Sequence, residues 1–309
     1  MRRRTFLAAA AACIPGSLPA QEGLGPTKFQ FACMTLPYAA FPLERALSGI
    51  KAAGYSHVAW GTSHRETSGS TKPVLAVDAA AAAAATLATR CRSIGLEPVM
   101  MFSTVNLEAA EAVDAHKRRL DQAHAASIPY VLTFGRTRPG EYETFVRNLK
   151  AIAPYARSAN IQVLIKQHGG NTATGKDCAR IVAEVGDEGV RVCYDAGNVL
   201  DYERKDAIAD IGTCWQDIRA FCIKDHRVTP RNEDCGPGFG EIDHYKLFAP
   251  VMRTGLTMPL AFENIFEPLA PRPSSPEGID QLAKRAREYI ETVLRGLGSH
   301  LNSQDGKAR

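Results

Sequence analysis

Eight short apolar runs, alternating with stretches of helical spacing, set the strongest limit on what this chain of 309 residues can fold into. The runs are KFQFACM (28–34), HVAWG (57–61), EPVMMFS (97–103), YVLTFG (130–135), IQVLIK (161–166), VRVCYD (190–195), AFCIKD (220–225) and PLAFEN (259–264). They are nearly continuous in apolar character, the pattern of parallel strands covered on both faces. Helical patterns occupy the intervals 42–53, 77–94, 107–126, 141–159, 174–185 and 279–297. The second holds a run of alanines, with Asp78 as its expected N-cap. Alanine is the best helix former, and a face of small residues lets a helix lie close to a sheet. Eight βα units in about 275 residues match a single-domain α/β fold, the (β/α)8 or TIM barrel. A doubly wound open sheet is the alternative, but the first run is followed by MTLPYAAF, which lacks the glycine-rich turn of that fold.

The ends are read separately. Residues 1–20 carry Arg3-Arg4-Thr5-Phe6-Leu7, then a short apolar stretch and small residues up to Ala20, which predicts a twin-arginine-type export signal and a periplasmic location. The apolar stretch is shorter than the roughly 20 residues a membrane span requires, so no transmembrane segment is expected. Lipidation at Cys13 is the alternative. The barrel is then expected over 27–298, with a polar tail at 299–309.

The remaining cysteines include no CxxC pair, which excludes a zinc ribbon. Cys33, Cys193 and Cys222 are expected in the core. Cys214 and Cys235 are expected in or near loops, where an exported protein can form a disulfide. The net charge is +4 without a basic patch interleaved with aromatics, so nucleic acid is excluded as a partner. A homo-oligomer is compatible with the sequence.

Active sites of such barrels sit at the C-terminal ends of the strands. Here those exits hold Trp60 and His64, then Lys166 and His168, then Asp195 and Asn198, then Lys224, Asp225 and His226, and finally Glu263. Thr35, Thr104 and Arg136 are read as strand or helix caps. Lys166, Asp195, Lys224 and Glu263 are read as a site, because unpaired charges at the ends of buried strands would cost several kcal/mol and must face one another or a ligand. Lys166 is expected as a base with a lowered pKa or as an electrophile that stabilises an enolate oxygen, with Lys224 as a second candidate for either role. His168 and His226 are expected to move protons near neutral pH. The glycine-rich segment 233–248 is expected as a mobile loop over the mouth, with Phe239 and His244 as contacts.

Five exit segments, IKQHGG, YDAGN, FCIKDHR, FGEIDHYKLF and LAFEN, occur in this order, and with them the chain resembles the xylose isomerase-like TIM barrels, the sugar phosphate isomerase/epimerase family. The resemblance covers nearly all of the chain beyond the export signal. It implies a small-molecule sugar or sugar derivative as substrate, proton abstraction next to a sugar carbonyl, and a divalent metal such as Mn, Mg or Zn. The implied ligands are a glutamate after strand five, an aspartate after strand six, a histidine on strand seven and a glutamate after strand eight. Residue by residue, Asp195 and Glu263 match. Lys166 stands at the first glutamate, Cys222 at the histidine, and Asn198 at a histidine that often follows the aspartate by three. A protonated lysine has no lone pair for a metal.

The expected function is therefore a carbohydrate-active isomerase or epimerase with an atypical site in which Lys166 replaces the metal-binding glutamate. Any metal would rest on Asp195 and Glu263. Trp60, His64, Asn198, Asp225, His226 and His244 are expected to bind the substrate, Trp60 by stacking on a sugar face, with a place in the core as its alternative. A lyase or hydratase acting on an oxidised (keto) sugar, and a non-catalytic sugar-binding protein on the same barrel, are the alternatives.

Overall fold

The computed structural model describes residues 25–305, with side chains to residue 298. The expected export signal and Cys13 lie outside the described residues.

Eight parallel strands close into a barrel. They are β1 (Lys28–Met34), β2 (His57–Trp60), β3 (Glu97–Phe102), β4 (Tyr130–Thr133), β5 (Gln162–Lys166), β6 (Val190–Tyr194), β7 (Ile218–Ile223) and β8 (Thr257–Phe262). Each pairs with its sequence neighbour, and β1 closes the ring against β8 with Lys28 opposite Thr257 and Cys33 opposite Phe262. All eight expected runs are present. Several strands stop one or two residues before the expected exit, so Lys224 and Glu263 stand just past their strand ends.

The helices are α1 (Leu43–Ala52), α2 (Ala81–Ser93), α3 (Ala112–Ala126), α4 (Tyr142–Ser158), α5 (Gly175–Val185), α6 (Ala196–Glu203), α7 (Ala207–Ile211), α8 (His244–Phe248) and α9 (Pro276–Asp305). Asp78 is not the cap of α2, whose N-cap is Ala80. The side-chain amide of Gln122 donates to the carbonyls of Ala76, Val77 and Ala79, which holds the chain around Asp78 in a turn outside the helix. Helix α9 runs well past residue 297, so the expected tail begins inside a helix. No helix among the described residues is long and apolar enough to cross a membrane.

Side chains alternate between the two faces of each strand. One face fills the barrel interior with Met34, Ala59, Met100, Leu132, Leu164, Cys193, Cys222 and Ala261. The other packs under the helices. This alternation positions the site. Lys166 follows Leu164 by two, Asp195 follows Cys193 by two, Lys224 follows Cys222 by two, and Glu263 follows Ala261 by two. All four therefore continue the inward face onto the mouth.

The same alternation removes Trp60. Ala59 faces inward, so Trp60 points into the helix layer and meets Cys91 of α2. The expected mobile loop also takes another form. Glu233–Cys235 is one strand of a hairpin with Asp225–Arg227. The buried carboxylate of Asp225 accepts N–H bonds from His226 (2.9 Å), Gly238 (3.0 Å) and Ile242 (3.1 Å), which pins the segment that follows. Phe239 lies under the guanidinium of Arg285 on α9 and not over the mouth. Cys214 lies in the turn after α7 and Cys235 ends a hairpin strand; both are fully buried, and the seven described cysteines are free thiols.

Candidate active site

Lys166, the last residue of β5, is the centre of the mouth. Its ammonium donates to both oxygens of Glu263, at 2.8 and 3.0 Å, and lies 3.1 Å from Oδ2 of Asp195. Lys224 stands beside it, 3.5 Å from Oε2 of Glu263 and 3.6 Å from Oδ2 of Asp195. The second ammonium also donates to Oδ1 of Asn198 at 2.5 Å and to Oδ2 of Asp234 at 3.0 Å. Two cations and two carboxylates thus form one buried cluster. Glu263 keeps 13% of its side chain exposed while Asp195 keeps none, so Glu263 is the most open member of the cluster.

The backbone around the cluster is locked by polar side chains. Asp195 caps α6, its Oδ1 accepting from the N–H of Asn198. Gln167 accepts from the N–H of Asp195 at 2.8 Å, and its own carbonyl accepts from the Asn198 amide at 2.6 Å. Buried polar groups are stable only when so satisfied.

The electrostatics follow from these contacts. Burial alone would lower the pKa of Lys166, but Glu263 and Asp195 reverse this and hold it well above the ordinary lysine value. Burial likewise opposes the charge of Lys224, and the carboxylates likewise raise it. Lys166 and Lys224 are therefore ammonium ions. The expectation of a lysine base fails because Lys166 meets two carboxylates and Lys224 three. Burial raises Asp195, a rise only partly offset by Lys224 and Lys166. Glu263 is pushed down to about 2, because Lys166 and Lys224 outweigh its burial. The two carboxylates titrate as a unit.

An aromatic arc runs from the lysine to His168. The ammonium of Lys166 lies 5.8 Å from the Phe102 ring, Phe102 meets Phe134 edge-on at 6.3 Å, and Phe134 lies 4.2 Å from His168. Tyr202 closes the arc edge-on at 5.6 Å from His168. His168 Nδ1 contacts the Gly135 carbonyl at 3.2 Å. Burial, reinforced by the charge of Lys166, lowers the pKa of His168, so the imidazole is neutral at pH 7.

His226 sits on the outer side of the cluster. Nδ1 bonds Asp234 and Nε2 bonds Asn232, each at 2.9 Å. Burial opposes its charge, but these bonds to Asp234 and Asn232 raise its pKa. Asp234 thereby joins the imidazole to Lys224. The other expected residues are not part of this cluster. Asp225 organises the hairpin. His244 is buried against Tyr289 of α9, 4.0 Å from Asp225. His64 bonds the Phe41 carbonyl at 2.9 Å in a rim hairpin of Ser63–Arg65 with Thr71–Pro73. Gln167, Asp234, Phe134 and Tyr202 are not marked by any local spacing: Asp234 meets Lys224 and His226 only through the hairpin, and Gln167, Phe134 and Tyr202 meet residues of other exits.

The residues present do not fit a divalent ion as they stand. Asp195, Cys222 and Glu263 offer ligand atoms within 4.8 Å of one another. The ammonium of Lys166 already lies against both carboxylates, and burial keeps the Cys222 thiol protonated. Mn²⁺ or Mg²⁺ wants several oxygens and no cation among them. A second cluster, Asp201, His226 and Asp234, fails for another reason: both ring nitrogens of His226 are engaged by hydrogen bonds.

The closed parallel barrel with a charged cluster at its C-terminal mouth defines the class. The chain belongs to the xylose isomerase-like TIM barrel family, whose sequence profile matches residues 47–293. Its fold is similar to that of an L-ribulose 3-epimerase, at 15% identity and a TM-score of 0.68 over 88% of this chain and 96% of that one. A xylose isomerase-like protein from Mycobacterium smegmatis, in complex with magnesium, matches at 12% identity and a TM-score of 0.65 over 86% and 97% of the two chains. The probable 3-DHS dehydratase AsbF from Bacillus anthracis matches at 11% identity and 0.60 over 84% and 98%. Comparison with curated proteins finds no match.

Proposed function

We propose that this protein is a sugar isomerase or epimerase that moves a proton next to a carbonyl, with two fixed ammonium groups where the resemblance implies a metal ion. The observation that carries this reading is the placement of Lys166, held by Glu263 and Asp195 in the barrel mouth. A carbonyl oxygen set against Lys166 and Lys224 meets preorganised positive charge. As the neighbouring C–H loses its proton, the charge on that oxygen grows, and the ammoniums stabilise the enediolate more than the ground state. His168, neutral and at the edge of the mouth, is the base. Asp195 and Glu263 hold the lysines charged and in place. The Phe134–His168–Tyr202 arc offers ring faces and edges to the apolar side of a sugar. The family and a fold shared with an L-ribulose 3-epimerase support the reading. The Arg3-Arg4-Thr5-Phe6-Leu7 segment, which resembles a twin-arginine export signal, supports a periplasmic location for this chemistry.

Elimination on a keto sugar is the second reading, favoured by the presence of two ammonium donors on one carboxylate. One would stabilise the enolate and the other would protonate a departing hydroxyl. The fold shared with a probable dehydratase is consistent with it.

The test is deuterium uptake from D₂O into a panel of ketoses and 3-keto-glycosides, followed by NMR and mass. Exchange without elimination supports the isomerase, and loss of water from a ketose or of the aglycone alcohol from a 3-keto-glycoside supports the lyase. A folded protein that exchanges none of the panel counts against both.

A further inference from the structure

The glycine pair after His168 leads to a second part of the mouth. Gly169 and Gly170 both have positive φ, at 69° and 55°. A Cβ on Gly170 would lie 2.2 Å from the Arg136 carbonyl and 2.9 Å from that of Arg138, and one on Gly169 would lie 2.8 Å from that of Thr137. Only glycine permits this approach of two backbones. The loop after β4 is thus pressed against the chain that leaves β5. It is also pinned from beneath. The buried carboxylate of Glu108 accepts from the N–H of Arg136 at 3.1 and 3.2 Å and from Asn171 at 3.1 Å, and Asn171 donates in turn to the Gly140 carbonyl at 2.7 Å. The negative charge of Glu108 is taken up by these donors.

This fixed loop and His168 enclose an open cavity of about 380 Å³, lined by Asn106, Gly135, Arg136, Thr137, Arg138 and His168. Arg138 is exposed and makes no ion pair among the described residues. Arg136 pairs with Glu141, with about half of each side chain exposed, and such a pair is worth little and is readily exchanged for a ligand. His168 is shared between this cavity and the aromatic arc that leads to Lys166.

We propose that this cavity is an anion subsite, and that the substrate is a sugar derivative with a carboxylate or phosphate at the end remote from its carbonyl. This rests on the reading that the carbonyl lies at Lys166 and Lys224. Two guanidiniums on a rigid loop suit an anionic oxygen group, which each can hold through parallel N–H bonds. A neutral sugar would leave Arg138 without an anionic partner.

Calorimetric titration with D-gluconate, D-glucose 6-phosphate and D-glucitol tests the subsite without requiring turnover. At least one anion should bind about tenfold or more tightly than glucitol, since a charge-assisted hydrogen bond contributes about 1.5–3 kcal/mol. The gluconate and phosphate arms identify which anion is preferred. Arg138→Gln should weaken that anion about tenfold, and the Arg136→Gln/Arg138→Gln double variant should erase its advantage over glucitol. Both side chains are exposed, so the fold is kept. Equal binding of anions and glucitol, or an anion preference that survives the double variant, overturns the subsite. Deuterium exchange into neutral ketoses without any anion preference would retain the proposed reaction and reject the subsite. Anion binding lost in the double variant, without exchange into any sugar, would retain the subsite and reject the reaction.

Discussion

Lys166 and Glu263 bond across the mouth of the barrel, the ammonium donating to both carboxylate oxygens at 2.8 and 3.0 Å. Their strands, β5 and β8, are separated by two others, so no ladder brings them together. The bond depends on closure of the whole barrel. It is also largely removed from water, with 3% of the Lys166 side chain exposed. Removing one member of such a pair strands the other. Lys166→Met should lower stability by about 3–5 kcal/mol, read from denaturant unfolding, because Asp195 and Glu263 would then face each other with Lys224 alone. A loss below about 1 kcal/mol would show the pair to be solvated.

Asp195 serves both as the cap of α6 and as a charge in the cluster. Asp195→Asn separates the two roles, since asparagine caps a helix about as well as aspartate. Far-UV circular dichroism should be unchanged. The rate of sugar deuteration should fall about 10²-fold or more as the hold on both lysines weakens. A variant with unchanged rate would assign Asp195 to the cap alone.

The proposed base gives a pH dependence with a definite sign. His168 must be neutral to accept a proton, and burial and the charge of Lys166 lower its pKa from 6.5. Turnover should therefore be flat above pH 6.5 and fall as the pH drops through that lowered value. His168→Gln should remove this acid limb and reduce kcat by about 10²–10⁴-fold. Retention of the limb in the variant would move the base to another group.

These outcomes depend on features with very different visibility in the sequence. The eight runs and the four charged exits were legible because strand period and strand length are local properties. The common inward face of Lys166, Asp195, Lys224 and Glu263 follows from the two-residue period alone. Trp60 was misplaced because HVAWG is apolar on both faces, and such a run does not show which face is inward. The charge state of Lys166 was illegible for another reason. It depends on two carboxylates 29 and 97 positions away in sequence, and only the closed barrel sets their distances. The segment fastened to Asp225 was hidden because Gly236, Gly238 and Gly240 fit a loose loop as well as one held by N–H bonds.

Stability itself should depend on pH through His116. This side chain is buried, with Nδ1 on the Ala112 carbonyl at 2.7 Å and Nε2 on Thr133 at 2.8 Å. Burial lowers its pKa to about 4. The unfolded chain takes up this proton near pH 6.5 and the folded chain does not, so the contribution is present above 6.5 and is lost as pH falls toward 4. His64 and His168, also lowered by burial, act in the same direction, while His226, raised by Asp234 and Asn232, acts in the opposite one. Unfolding free energies at several pH values between 7 and 4 should decline, and His116→Gln should reduce the slope by up to about 1.4 kcal/mol per pH unit, one proton's worth. An unchanged slope would place the proton uptake elsewhere.

The resemblance implies a glutamate at position 166, where this chain has a lysine. In this chain the space between Asp195 and Glu263 is taken by the Lys166 ammonium, which together with Lys224 balances their two charges. Lys166→Glu would replace that cation with a third carboxylate and leave only Lys224 against it. Three buried carboxylates repel, so the metal-free variant should be less stable than wild type. The same three groups form an oxygen-rich set suited to Mn²⁺ or Mg²⁺. Metal analysis of the purified proteins should find the wild type substoichiometric and the variant with about one ion per chain. The melting temperature of the variant should rise with added Mn²⁺, by mass action on the folded state, while that of wild type stays fixed. Both readings are independent of turnover. A wild-type protein that keeps a full equivalent of metal through a chelator wash would mean that Lys166 does not occupy the centre of the mouth, and the proposed role of its ammonium would fail with it.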